Sequence, residues 1–442
     1  MIQASYGAWS LVPVLIVIIL SVVTKRAFEP LFFGTVVACI IYSKEHFAAE
    51  WVSVLIDTAG DADNQWILLM CGLFGSLIAL INKANGTNGF KKICMKLCTS
   101  EKRTRVVTFF LGVLIYIDDY LNMITVGTCM KSVYDEKKMQ RKELAYIMNS
   151  TGTPVCVLLP FSTWAAFYCK LFLKENFASK IMGQSELKFY CSLIPFAFYP
   201  ILVVAITFLF CIGVMPKIGR MKSGKAESYG GTDTENEDGN ITDFIVPILT
   251  LIIGTIIAGD IFLAVFISIL ISLIWYLLRG KIAVPELGDT VLSGFCDMIP
   301  TLAIILMALM FANICNKLNM TVFIINIAKS HMTAATLPAI VFVIVSALSF
   351  ATGSTWGLST IVIPIILPLA DHLGANPYLT LGAILSANAF GSHACFYSDA
   401  TTLAASSAGL DNMSHALSQF PYAMIAATIS LCLYIVVPMI AF

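Results

Sequence analysis

The run GVLIYIDDYLNMITVGT, residues 112–128, sets two adjacent carboxylates, Asp118 and Asp119, in the middle of an apolar stretch. Asn122, Thr125 and Thr128 follow them. A carboxylate at bilayer depth costs several kcal/mol, so such groups face an aqueous cavity or a bound cation and mark a transport path. Neighbouring positions on a regular helix diverge by roughly 100°. One carboxylate can therefore line a site while the other serves as a structural partner. A pair that caps a helix end or meets buried basic groups is the plainer reading, but no Lys or Arg lies between Arg105 and Lys131.

Composition sets the surroundings of this run. The chain has 442 residues, of which 58% are hydrophobic and only 12% charged. Soluble proteins average about 25% charged. Several apolar runs reach the roughly 20 residues that cross a hydrocarbon core. The expected class is an all-α polytopic membrane protein. The first apolar run, Ser10–Val23, lacks a basic leader and a small-residue cleavage site, so it reads as a retained span. Net charge is zero, which gives no electrostatic case for nucleic acid. The 13 cysteines contain no C-x-x-C pair and fall mostly in apolar runs, as buried small hydrophobes do.

Charge between the runs orients them. Lys83, Lys91, Lys92, Lys96, Lys102, Arg103 and Arg105 precede the Asp118–Asp119 run, and Lys131, Lys137, Lys138, Arg141 and Lys142 follow it. Basic segments lie on the cytoplasmic side. Loops 83–105 and 131–142 are thus expected there, with residues 104–130 a re-entrant hairpin whose tip lies near Asp118–Asn122. Residues 143–171 read as a span broken at Asn149–Pro154 (NSTGTP), because Pro removes a backbone donor and restricts the residue before it. The loop 215–243, basic and then Gly-rich and acidic, reads as a cytoplasmic linker. A tight turn is expected at Gly259-Asp260, an interfacial helix over 285–297 and a second hairpin over 336–370, broken at Thr352–Gly357. A second broken span is expected over 378–404, interrupted at Asn388–His393 and ending in Ser398–Thr402. Counting crossings gives ten spans and two hairpins, with both termini outside.

The breaks repeat. Laying Asp118 on Thr355 brings Asn149–Pro154 onto Ser386–Gly391 and Ser162 onto Asp399. The expected domains are a first repeat over 1–214, the linker over 215–243 and a second, inverted repeat over 244–442. Paired broken segments in two inverted halves point to a transporter site at the bilayer midplane. The candidate site set is Asp118, Asp119, Asn122, Asn149, Thr151, Thr153, Ser354, Thr355, Asn388, Ser392, His393, Asp399 and Thr401. Oxygen donors dominate it, as hard cations require. It holds no Lys or Arg to answer an anionic substrate. Asp118, Asp119 and Asp399 are the candidate Na+ ligands. Dehydration favours the neutral carboxyl, so a site acid can exchange a proton for a metal ion. His393 has a titrating role open to it, and a satisfied structural role is favoured. Trp164 and Trp356, each following a hydroxyl pair near a break, read as packing residues.

The segments IDDYLNMITVGT at 117–128, AYIMNSTGTPVCVLLPFSTWAAF at 145–167, ATGSTWG at 351–357, SDATTLAASSAG at 398–409 and QFPYA at 419–423 resemble the NhaC-type sodium/proton antiporters of the ion transporter superfamily. The resemblance covers most of the chain from about residue 65 onward. It implies the inverted-repeat, two-hairpin fold, a location in the cell membrane and a homodimer. No cofactor is implied beyond the transported Na+ and H+. The chain departs from the family pattern at Ser392, where relatives carry an acid before the histidine, and at Ala400, in Ser398-Asp399-Ala400-Thr401, where relatives carry S-D-T-T. The alternative function is a cation-coupled carrier of a small organic acid or amino acid. An intramembrane enzyme is the remote one, since no H-E-x-x-H or Walker A motif occurs.

Overall fold

The computed structural model describes residues 6–24, 26–116, 118–160, 162–172, 186–222, 239–258, 261–328, 332–353 and 355–441, and within these every regular element is helical. Ser354, Gly259-Asp260 and the middle of the expected linker, 223–238, lie outside the described residues. The first helices are α1 (Val12–Thr24), α2 (Phe28–Ser43), α3 (Phe47–Gly60), α4 (Ala62–Lys83), α5 (Gly86–Leu97), α6 (Glu101–Leu114) and α7 (Asp119–Glu136). Next come α8 (Arg141–Thr151), α9 (Thr153–Leu158), α10 (Thr163–Phe172), α11 (Glu186–Leu193) and α12 (Phe198–Cys211). Then follow α13 (Thr242–Ala258), α14 (Ile261–Leu278), α15 (Val284–Asp297), α16 (Ile299–Lys317) and α17 (Met320–Ala328). The last five are α18 (Leu337–Thr352), α19 (Trp356–Leu373), α20 (Pro377–Ala394), α21 (Asp399–Ala408) and α22 (Asn412–Ala441).

Four stretches among the described residues are long and apolar enough to cross a membrane: Phe28–Gly60, Asn64–Lys83, Ile299–Lys317 and Asn412–Ile440. Two bent pairs qualify together. One is Arg141–Leu158 with Thr163–Cys169, bent by 46°; the other is Lys188–Phe196 with Phe198–Cys211, bent by 66°. The second bend divides what reads in the sequence as one span over 189–214. Pro195 lies in the 3-10 turn Ile194–Phe196 at the elbow, where its missing donor interrupts the helix. The polar stretch 44–64 is also largely helical. It contains α3, whose partly buried residues pack on α2 and α16, and Lys317 meets Glu50 at 2.9 Å and Asp57 at 3.4 Å.

The breaks are sharper than the sequence suggests, and one is displaced. Helix α8 runs through Asn149, Ser150 and Thr151, and only Gly152 separates it from α9, where Pro154 sits in the first turn. Pro is tolerated there because the donor it lacks would have no intrahelical partner. In the second half, Asn388–His393 is not an interruption. Those residues are helical and buried within α20, and the break falls later, at Cys395–Ser398. Gly391, read as part of the break, instead lets α20 approach α18: a methyl group there would collide with Ser349 Oγ. At the tip between α18 and α19, Gly353 has φ +68°, a left-handed conformation that favours glycine, and it lies against the Tyr397 ring.

Two buried apolar clusters form the interior. One gathers residues of α1, α2, α10, α12, α18, α20 and α22; the other gathers α4, α7, α14 and α21. Helix α8 belongs to both, since Tyr146 and Ile147 face the first while Leu144, Ala145 and Met148 face the second. The breaks thus lie where the two clusters meet. The linker is fastened at its start. Lys217 donates to the buried Glu143 at 2.6 Å, the Tyr422 hydroxyl accepts from Ile218 N at 2.8 Å, and it donates to Pro216 O at 3.0 Å. Arg105 completes the charge pairing of Glu143 at 2.6 Å.

Candidate functional site

Asp118 and Asp119 occupy consecutive positions but do different things, because Asp118 stands in extended backbone just ahead of α7 and Asp119 is the first residue of the helix. Asp118 is the N-cap of α7. Its Oδ1 accepts from Leu121 N at 3.0 Å and its Oδ2 from the Thr163 hydroxyl at 3.1 Å. Such a cap satisfies one of the donors that a helix start leaves open. Asp119 is the first residue of α7 and is 2% exposed. Its Oδ2 accepts from Thr153 Oγ1 at 2.7 Å and from Trp164 Nε1 at 3.1 Å. Its Oδ1 is buried and finds no hydrogen-bond partner among the described residues. The positive end of the helix dipole favours a carboxylate at this position.

The second half presents the same local design. Ser398 caps α21 by accepting from Thr401 N at 3.2 Å, and Asp399 is its first residue. Asp399 Oδ1 accepts from Ala400 N at 2.8 Å, and its Oδ2 accepts from the hydroxyl of Tyr120, which follows Asp119 on α7. Both oxygens of Asp399 are therefore engaged, and the residue keeps partial exposure.

Neutral oxygens connect the two helix starts. Thr153 Oγ1 lies 3.1 Å from Ser392 Oγ, and the Ser392 carbonyl accepts from Ser398 Oγ at 2.7 Å and from Thr401 Oγ1 at 3.4 Å. Asn149 reaches the same region: its Nδ2 lies 3.4 Å from both His393 O and Thr401 Oγ1, and 3.0 Å from Gln419 Oε1. The His393 carbonyl also accepts from Gln419 Nε2, so side chains of α8 and α22 satisfy a carbonyl freed where α20 ends. Both ring nitrogens of His393 meet hydroxyls, Ser150 Oγ at 3.0 Å and the Tyr199 hydroxyl at 2.8 Å, the arrangement of a satisfied structural histidine.

The hydrogen bonds of other candidates run elsewhere, although Asn122 and Asn388, like Asn149, each also keep a buried Oδ1 with no partner among the described residues. Asn122 ties the break between α6 and α7 to α8, donating to Gly112 O, to Ile115 O at 2.9 Å and to Thr151 O at 3.2 Å. The Thr151 hydroxyl donates back to Ile147 O at 2.8 Å. Asn388 donates to Ile384 O at 3.0 Å within its own helix, and the Thr355 carbonyl accepts from Ser359. The second hairpin approaches the acids through aromatic rings instead: Trp356 packs on Trp164 with centroids 5.2 Å apart and on Phe167 at 4.4 Å. Among the described residues no three His, Cys, Asp or Glu side chains are grouped to hold a metal ion. A cation here would rely on one carboxylate with hydroxyl and carbonyl oxygens.

Several participants escape a reading of the sequence. Trp164 reads as packing, yet its indole N–H holds Asp119. Tyr120 stands beside the acids and attracts no role from spacing. Tyr199, His415 and Gln419 are buried polar groups within or beside apolar spans. That placement is the signal that would have found them, since a buried polar group needs a partner.

The comparisons bear on what this arrangement serves. A model of the Na+/H+ antiporter family matches residues 155–439. The chain belongs to the Na+/H+ antiporter family. The matched region includes Trp164, Ser392, Asp399 and Thr401, while Asp119 and Thr153 lie ahead of it and join it through hydrogen bonds. An uncharacterized protein of Haemophilus influenzae is 26% identical over 478 aligned positions, covering 99% of this chain and 92% of that protein. The antiporter is thus a membrane-embedded transporter of a family that exchanges cations for protons, with Na+ and H+ as its cargo.

Proposed function

We propose that this antiporter exchanges Na+ for H+ at a mid-membrane carboxylate site centred on Asp119. The observation that carries the reading is the bare Oδ1 of Asp119, buried at the first turn of α7, on a carboxylate whose other oxygen accepts from Thr153, itself bonded to Ser392. A buried polar atom without a partner costs about 1–3 kcal/mol and calls for an explanation such as an ion. Hard cations take oxygen ligands of this kind. Na+ and H+ cannot both occupy the same carboxylate oxygen, so arrival of one expels the other, which is the minimal mechanism of exchange.

Around this site we propose two inverted repeats, 1–214 and 244–442, joined by the cytoplasmic linker 215–243. The hairpins 104–130 and 336–370 enter from opposite faces, and the chain makes ten crossings of the cell membrane as a homodimer. Under the repeat the start of α7 at Asp119 falls on the start of α19 at Trp356, and the start of α10 at Thr163 falls within one residue of the start of α21 at Asp399, which supports the pairing of the halves. The basic flanks of the first hairpin, 83–105 and 131–142, support its cytoplasmic opening.

The experiment is reconstitution in liposomes with an internal pH dye, adding Na+, Li+, K+, malate or amino acids singly. Na+ added outside should raise the internal pH, and K+ should not. A pH response to malate or amino acids, with none to Na+ or Li+, would overturn the proposal in favour of an organic-substrate carrier.

A further inference from the structure

Tyr120 links the two halves at the acids themselves. It is 3% exposed, sits on α7 next to Asp119, and donates its phenol hydroxyl to Asp399 Oδ2 on α21. Asp399 Oδ1 is already taken by Ala400 N at 2.8 Å. Each oxygen of Asp399 thus accepts a hydrogen bond, whereas Asp119 Oδ1 has no partner among the described residues. Two acids at equivalent helix positions are held in different states, and the phenol of Tyr120 makes the difference.

We propose that Tyr120 is a positioning residue whose phenol holds Asp399 Oδ2 as a latch, competes with a cation for that oxygen and must withdraw when a cation engages the carboxylate. The inference rests on the reading that Asp399 belongs to the cation site. A donor on the ligating oxygen competes with the ion, and a hydrogen bond to a charged group is among the stronger ones in proteins. The latch also explains why a tyrosine, and not an aliphatic residue, stands at the α7–α21 contact. Among the described residues its hydroxyl is the side-chain donor that Asp399 receives from α7.

The sign of the effect is the test. Purified full-length protein in detergent is titrated with radiolabelled Na+ at a pH where further alkalinisation no longer tightens binding, so that proton competition is removed. Tyr120→Phe keeps the ring and deletes the competing donor, and its fold is checked by monodisperse elution. Binding should tighten by about 3- to 10-fold. In an Asp399→Asn background the same substitution should change nothing, because the group through which Tyr120 acts has lost its charge. A merely structural tyrosine would weaken binding, or act equally in both backgrounds, and either result overturns the latch. Unaltered Na+ binding by Asp399→Asn alone overturns the assignment of Asp399 to the site. Weakened binding by Asp399→Asn, with no tightening in Tyr120→Phe, overturns the latch and leaves the site standing.

Discussion

Helices α7 and α21 begin alike and end up with opposite unmet needs. Each opens on a capping side chain, Asp118 or Ser398, and each places an acid at its first helical position, Asp119 or Asp399. The dipole of each helix favours the anion there. Asp119 then receives two donors on one oxygen and none on the other, while Asp399 receives one on each. The backbone positions a carboxylate, but the neighbours decide whether that carboxylate is spare. Trp164 and Thr153 both donate to Oδ2 of Asp119 and leave the buried Oδ1 without a partner among the described residues, whereas Tyr120 occupies the second oxygen of Asp399.

Substitutions at the two helix starts should separate the acids. Asp119→Asn should weaken Na+ binding by about 100-fold or more, since the uncompensated loss of a buried charge partner costs roughly 3–5 kcal/mol. Equilibrium titration with radiolabelled Na+ measures this, and equal losses at Asp119 and Asp399 would erase the asymmetry. Asp399→Asn should cost less, about 10-fold, because each oxygen of that carboxylate already accepts a protein hydrogen bond. Trp164→Phe removes a donor from the oxygen that does not ligate. Its apparent KM for Na+ should rise by about 3- to 10-fold with maximal exchange rate largely kept, the opposite sign to Tyr120→Phe. An unchanged KM would reduce Trp164 to packing. Asp118→Asn should have the smallest effect, within about twofold on transport, because Asn caps a helix start as well as Asp does. A loss as large as that of Asp119→Asn would move the site to the cap.

Much of this was legible in the chain. The acid pair in an apolar run, the all-helical class and the neighbourhood of each break follow from composition and punctuation. Of the two readings of the acid pair, capping describes Asp118, which stands in extended backbone ahead of α7 and not on the helix. What the sequence hid were partners supplied from afar. Tyr120 meets Asp399 across the two halves, and Asn149 meets Gln419 in the last helix. Spacing along the chain carries no trace of such pairs. The displaced break has a related cause. Gly391 looks like punctuation, but its lack of a side chain is used for close packing against Ser349. Likewise, α3 carries acids, and Lys317 from α16 pairs with two of them.

The central claim is that Asp119 carries both the ion and the proton. Proteoliposomes containing Asp119→Asn, loaded with a pH dye and given an inward Na+ gradient, test it most directly. The substitution keeps side-chain size and removes the exchangeable proton. No Na+-driven rise in internal pH is expected, under conditions where the unsubstituted protein alkalinises the interior. A rise at the unsubstituted rate would contradict the account and move the exchange site away from Asp119.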